Sequence, residues 1–242
     1  MTALVIPFCF DGDTDRLAAL HYVRKWYERQ HNFDLVIGTC SPEEPWSKGL
    51  AVARAVKRTR RSVLVLADAD VLVAPEALVD CVRAVAVGDA AWSQPHATVY
   101  RLSRLSTNMV YNGELTEIRH LFRRALDRPE HPAPHGGGIS VMHRDAFEAV
   151  GGIDPRFIGW GGEDISFAWA LDTLVGQCFR GGVPMWHLYH ARAPRRLGNR
   201  ASEASEQLAA RYATANGDRA AMLQLAHEHS NWLAAPVCPG FA

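Results

Sequence analysis

Apolar runs and amphipathic stretches alternate along the first 90 residues. Residues 3–8, ALVIPF, form an apolar run that meets Pro7 and then the polar FDGDTD. This predicts a buried strand ending in a turn. Over residues 15–30, Leu17, Leu20, His21, Val23, Trp26 and Tyr27 recur at helical spacing, with Thr14 or Asp15 as N-cap. Residues 34–39, DLVIGT, read as a second buried strand. Residues 46–60 carry Leu50, Val52, Ala53 and Val56 between basic positions and predict a second helix. A third strand at 62–67 ends at Asp68, and Pro75 opens a helix over 75–87. Parallel strands need such helical crossovers, and continuous Val/Leu/Ile runs suit a sheet covered on both faces. The prediction is an α/β half of Rossmann type. The turn after the first strand reads PFCFDGD and lacks GxGxxG, which disfavours a dinucleotide-binding dehydrogenase.

The remainder is less regular. Strand residues at 90–100, a helix at 114–127 and a proline-rich loop at 128–135 come first. A strand at 138–142, a helix at 144–150, the segment GGIDPRFIGWGGED and a helix at 164–175 follow. A strand at 183–190 and helices at 202–215 and 218–233 complete the chain.

With 242 residues and 48% hydrophobic composition, the chain can bury a core without disulfide or metal staples. Its 26 basic and 26 acidic residues cancel, so overall charge does not hold it to nucleic acid or anionic lipid. Local basic stretches at 54–61 and 192–200 read as solvated faces, or as a hold on a phosphorylated or nucleic-acid acceptor. Cys9, Cys40, Cys81, Cys178 and Cys238 form no CxxC pair, which points to a reducing compartment. The start does not read as a signal peptide, and no apolar run reaches membrane-spanning length. A cytoplasmic location is expected.

Four motifs carry chemistry. Asp68-Ala69-Asp70 follows a buried strand, where open α/β sheets bind ligands. Two carboxylates there suit a hard divalent cation shared with phosphates, or else a solvated turn. His135-Gly136-Gly137-Gly138 lets backbone approach a ligand closely, or is a plain flexible loop. Trp160-Gly161-Gly162-Glu163-Asp164 sets two acids at a helix start, where one can accept a proton from a hydroxyl or simply cap the helix. His187-Leu188-Tyr189-His190 can bring both imidazoles to one metal only if its strand ends or bends. A core histidine is the plainer reading.

The order of these motifs, over about residues 3–190, resembles a glycosyltransferase of the GT-A fold. In style it is nearest the β-1,4-galactosyltransferase and polypeptide N-acetylgalactosaminyltransferase group. The resemblance implies an α/β fold with a mixed sheet flanked by helices and further C-terminal helices. It implies one domain over 1–242, with a nucleotide-binding half (1–90), an acceptor and catalytic half (91–190) and a helical tail (191–242). Asp70 would ligate Mn²⁺ or Mg²⁺ with His190 and His187, while Asp68 lies nearer ribose and phosphates. Pro7 and Phe8 would line the base, with Asp11, Asp13 and Arg16 standing where the galactosyltransferases have arginines. Trp46 and Lys48 would contact the nucleotide, and Gly137 and Gly138 the donor sugar. Trp160, Gly161, Gly162 and Glu163 would meet the acceptor, Glu163 being an acceptor or donor-sugar contact; Asp164 and Glu163 would form the catalytic pair, with Asp164 the base.

The implied activity is metal-dependent transfer of a hexose from a nucleotide-sugar, a UDP-sugar by resemblance, to an acceptor hydroxyl with inversion. A retaining transferase and a non-catalytic nucleotide-sugar-binding protein are the alternatives. Acceptor candidates are a glycan, a lipid-linked sugar, a small molecule, a protein or modified DNA. With no stem or membrane anchor in view, the resemblance is to a bacterial or phage type.

Overall fold

The computed structural model describes residues 2–30, 32–41, 43–115, 130–191 and 203–234. The first three apolar runs are β1 (Thr2–Pro7), β2 (Asp34–Gly38) and β3 (Val63–Ala67), joined by α1 (Thr14–Gln30) and α2 (Lys48–Lys57). Side chains alternate across a strand. In β1, Leu4 and Ile6 therefore enter the core on one face while Ala3 and Val5 enter it on the other. Val23 and Tyr27 of α1 cover the first face with Leu78 and Val85 of α3 (Pro75–Ala86). Val52 and Val56 of α2 cover the second, with Phe147 of α5 (Arg144–Ala149) and Phe167 and Leu171 of α6 (Glu163–Leu174).

After β3 the chain turns through Asp68–Asp70 into the short β4 (Val71–Leu72). The other strands are β5 (Trp92–Arg101), β6 (His131–Pro132), β7 (Ile139–His143) and β8 (Cys178–His187). They form one mixed sheet in the order β2-β1-β3-β7-β5-β8-β4, with β6 beside β5. β7 runs antiparallel to β3 and β5, whereas β5 and β8 are parallel. Two last helices, α7 (Glu203–Ala215) and α8 (Arg219–Ala234), extend the second face through Tyr212, Met222 and Leu225.

These helices also hold the loop leading to α6. Asp154, 3% exposed, accepts from Arg156 and from the Tyr212 hydroxyl at 3.1 Å. Arg156 bonds Glu228 of α8 at 2.7 Å, and Ser205 of α7 accepts the Ile158 amide at 3.2 Å.

Several expectations change. The first helix is capped by Asp13, whose Oδ1 accepts the Asp15 amide at 2.8 Å, not by Thr14 or Asp15. An unexpected helix, α4, occupies Arg104–Tyr111 behind the Ser103 cap. The expected helix over 114–127 begins in irregular backbone at 114–115, and 116–129 lie outside the described residues. The expected strand at 183–190 starts earlier and ends at His187. Pairing with β5, from Trp92↔Cys178 to Arg101↔His187, sets those bounds, not apolar content. Among the described residues no helix is long and apolar enough to cross a membrane.

Candidate active site

The end of β8 decides where the histidines meet the DAD turn. β4 pairs antiparallel with β8, Val71 opposite His187, so Asp70 lies beside the segment that follows. The Leu188 amide bonds Asp70 O at 2.8 Å. Because the strand stops at His187, the chain bends and His190 returns to the same place, with the two ring centroids 5.2 Å apart. One ligand atom each of Asp70, His187 and His190 lie within 4.8 Å of one another.

Their hydrogen bonding fits a cation. His187 Nδ1 donates to Leu188 O at 2.9 Å and His190 Nδ1 to Ala191 O at 2.8 Å. With the proton on Nδ1, each Nε2 presents a lone pair. Those atoms face Asp70 Oδ2, at 3.8 Å from His187 and 3.1 Å from His190. His190 Nε2 is buried with no aligned hydrogen-bond partner among the described residues. Three electron-pair donors converging in a buried site require a proton or a metal between them, and metal binding would displace the proton. Burial opposes charge on Asp70, but His187, His190 and Arg16 outweigh it and hold the carboxyl below the usual range.

A second cluster adjoins the first. Lys48, at the first position of α2, reaches Asp68 Oδ1 at 2.6 Å and Asp164 Oδ1 at 2.7 Å. Ser47 caps that helix, accepting the Leu50 amide at 3.3 Å and donating to Pro155 O at 2.9 Å. The cap thus ties Lys48 to the loop before α6. Glu163 and Asp164 occupy the first turn of α6, where the helix dipole favours negative charge. Glu163, 7% exposed, accepts the Gly161 amide at 2.8 Å. Burial pushes the Asp164 carboxyl up to about 7; Lys48 opposes this, and the Asp68 and Glu163 carboxylates add to it. Burial also opposes the charge on Lys48, but Asp164, Asp68 and Glu163 keep it an ammonium.

Both clusters border one cleft, the first through Asp70 and the second through Lys48, Asp68 and Glu163. Pro7, Phe8, Arg16 and Trp46 line it with Lys48, Asp68 and Asp70, and Trp160 and Glu163 close the other side. The Arg16 guanidinium lies 5.7 Å from the Trp160 ring centroid and pairs with Asp11 at 2.6 Å. Asp13 is taken up by the α1 cap. The Gly159 amide bonds Trp46 O at 2.9 Å, tying the loop before α6 to the segment before α2. Gly136 and Gly138 line a smaller recess beneath, with Lys48, Asp68 and Asp164, and Gly137 stands beside the Asp164 carboxylate. Gly161 and Gly162 form the turn into α6, Gly162 with φ of 91°. In the basic stretch at 54–61, Arg54 pairs with Glu44 at 2.7 Å and Arg58 bonds Ile37 O, and Arg58 and Arg60 are exposed. Residues 192–200 lie outside the described residues.

The fold as a whole is similar to that of known structures. The chain has the GT-A glycosyltransferase fold. A mutant of Drosophila β1,4-galactosyltransferase 7, in complex with manganese, UDP-Gal and xylobiose, superposes with TM-score 0.52 and 14% identity, over 86% of this chain and 78% of that one. Glucosyl-3-phosphoglycerate synthase from Mycobacterium tuberculosis, with phosphoglyceric acid, gives 0.50 and 16%, over 90% and 80%. The family profile described as the N-terminal domain of galactosyltransferase matches residues 118–173, which hold both glycine-rich motifs. N-acetylgalactosaminyltransferase 7 of Drosophila melanogaster is 30% identical over 88 residues, taking in 31% of this chain. The match spans 15% of that relative's length.

Sequence reasoning passed over Gln94 and His96, both wholly buried in β5 beneath the glycines. The available signal was a Gln-Pro-His run inside an otherwise strand-like stretch. Burial pushes His96 down to about 4; its bond to Gly137 opposes this and Arg180 adds to it. Folded His96 is therefore neutral. Between the ordinary value of 6.5 and about 4, the unfolded chain takes a proton that the folded chain refuses. Stability from this group is complete above pH 6.5 and falls as the pH drops to about 4, by roughly 3 kcal/mol. Denaturant unfolding at pH 7.5 and 4.5 should show a loss larger by about that amount in wild type than in His96→Gln. Equal losses would mean that His96 is not held neutral.

Proposed function

We propose that this chain is a metal-dependent glycosyltransferase that moves a sugar from a UDP-sugar to an acceptor hydroxyl, with inversion. One observation carries the reading: Asp70 of the Asp70–His187–His190 cluster lines the cleft with Lys48 and Asp68, and those two also line the adjoining recess that holds Asp164. Asp70, His187 and His190 would hold the metal. Two imidazoles with one carboxylate suit Mn²⁺ better than Mg²⁺, which prefers oxygen throughout. When bound, the metal offsets diphosphate charge and stabilises the leaving nucleotide diphosphate.

The chain's own groups supply the rest. Pro7, Phe8 and Trp46 give the base an apolar and aromatic seat. Arg16 and Lys48 bring positive charge to the phosphate side. A diphosphate entering the cleft offers the Lys48 ammonium a third anionic partner beside Asp68 and Asp164. Movement of the ammonium from Asp164 to the diphosphate would free Asp164 Oδ1 to take the proton of the acceptor hydroxyl as it attacks and the nucleotide diphosphate leaves. A base with proton affinity near neutrality suits this task. Trp160 stands 45% exposed at the rim, an apolar face for an acceptor ring. The acceptor class stays within the set named from sequence, a glycan, lipid-linked sugar, small molecule, protein or modified DNA.

Calorimetry with UDP, GDP and UDP-sugars, with Mn²⁺ and with chelator, tests the reading. Metal-dependent binding of UDP is expected, followed by slow hydrolysis of a UDP-sugar in the absence of acceptor. A folded sample that binds no nucleotide under either condition would overturn it. The anomeric configuration of the released sugar separates inversion from retention.

A further inference from the structure

The glycine loop is wedged between the two acids of the site. Gly138 O accepts the Asp68 amide at 2.9 Å. On its other side, a Cβ at Gly136 would meet the Asp164 carbonyl oxygen at 2.5 Å, and one at Gly137 would lie 3.3 Å from Asp164 Oδ2. No spare space separates the loop from α6, so a displacement of its backbone is passed to Asp68 and Asp164 together.

Two β5 side chains hold that loop from below. Gln94 Oε1 accepts the Gly136 amide at 3.3 Å, and Gln94 Nε2 donates to Pro134 O at 2.9 Å and Gly137 O at 3.0 Å. His96 Nε2 lies 3.0 Å from the same Gly137 O. Gln94 Nε2 also lies 3.0 Å from His96 Nε2, but its two protons go to Pro134 O and Gly137 O; a carbonyl oxygen only accepts, which assigns the proton of neutral His96 to Nε2. His96 Nδ1 is then a buried acceptor with no partner among the described residues. Leaving such a group unsatisfied costs stability, so the arrangement serves the loop at the expense of His96 itself. The pairing of β5 with β8 shifts register on both sides of His96, around Pro95. Such irregularities re-aim side chains near active sites. Neither residue lines the cleft.

We propose that Gln94 and His96 are positioning residues of the transfer reaction, fixing the Pro134–Gly138 backbone so that Asp68 and Asp164 keep their mutual geometry. The inference rests on the glycosyltransferase reading above. A small misplacement of reacting groups can cost about 100-fold in rate while leaving binding remote from them intact.

The test uses His96→Leu, which removes the N–H donor, His96→Gln, which keeps one at similar reach, and Gln94→Glu, which keeps the acceptor for Gly136 and removes both amide donors. For each, UDP affinity with Mn²⁺, kcat and KM for UDP-sugar turnover, and thermal unfolding are measured. His96→Leu and Gln94→Glu should keep UDP affinity within about threefold and KM nearly unchanged, with kcat lower by about 10- to 100-fold. His96→Gln should recover most of kcat. Wild-type kcat in either folded variant overturns the proposal. So does a loss of UDP affinity in proportion to kcat, which marks a merely structural role. Amide exchange in the wild-type protein covers variants that fail to fold: Gly136 must be strongly protected, and exchange at the rate of an open loop overturns the proposal. Inactive wild-type protein that binds no UDP is a separate outcome, removing the transferase reading and this inference with it.

Discussion

An Asp164→Asn variant is expected to lose sugar transfer by about 10²- to 10⁴-fold, the range for loss of a positioned general base. Its metal-dependent nucleotide affinity should survive. The side chain keeps its shape, so the turn into α6 and the contact with the glycine loop remain. What disappears is the oxygen able to take a proton. The surroundings of Asp164 fit the proposed base: burial, Asp68 and Glu163 raise its proton affinity, and Lys48 keeps one oxygen occupied. Single-turnover transfer assays beside UDP calorimetry would read the two effects separately. Turnover at the wild-type rate would remove Asp164 from the base role. Parallel loss of nucleotide binding would instead make it a structural partner of Lys48.

The second large effect is expected at Asp70. In Asp70→Ala, two imidazoles remain and the only carboxylate of the cluster is gone. Metal affinity should fall by more than the 10- to 100-fold that changes outside a metal's direct ligands cost. UDP should then bind weakly and equally with Mn²⁺ or chelator, and turnover should be lost with it. The cluster adjoins the Lys48 pairs but shares no residue with them, so Asp164→Asn and Asp70→Ala should separate: one spares metal-dependent binding, the other abolishes it. Unaltered UDP affinity in the presence of Mn²⁺ would remove Asp70 from the ligand set. Since Asp70 is buried against both histidines, its loss also relieves their shared electrostatics. A thermal unfolding curve therefore belongs beside the binding data.

Much of the fold was legible in the chain itself. The runs ALVIPF, DLVIG and VLVLA are apolar at every pleat, a pattern that only a sheet covered on both faces can use, and their spacing leaves room for crossover helices. The motif types were legible too: carboxylates after a strand, glycines before one, acids at a helix start, and paired histidines near a strand end. These signals are local, carried within a few residues by propensity, capping and period.

The spatial relations were not local. That His187 and His190 meet Asp70 depends on β4 pairing with β8 and on β8 stopping at His187, a register chosen by the whole sheet. That Lys48 sits between Asp68 and Asp164 depends on α2, the β3 end and α6 converging from positions up to 116 residues apart. Gln94 and His96 looked like misplaced polar residues until the glycine loop above them supplied their partners. By itself the sequence determined which chemical groups stand near one another along the chain and the strands and helices of the first 90 residues, but neither α4 nor the extent of β8. Only the tertiary structure decided which groups face one another, because contacts between distant segments follow from sheet register and helix packing, and neither is encoded in any single segment.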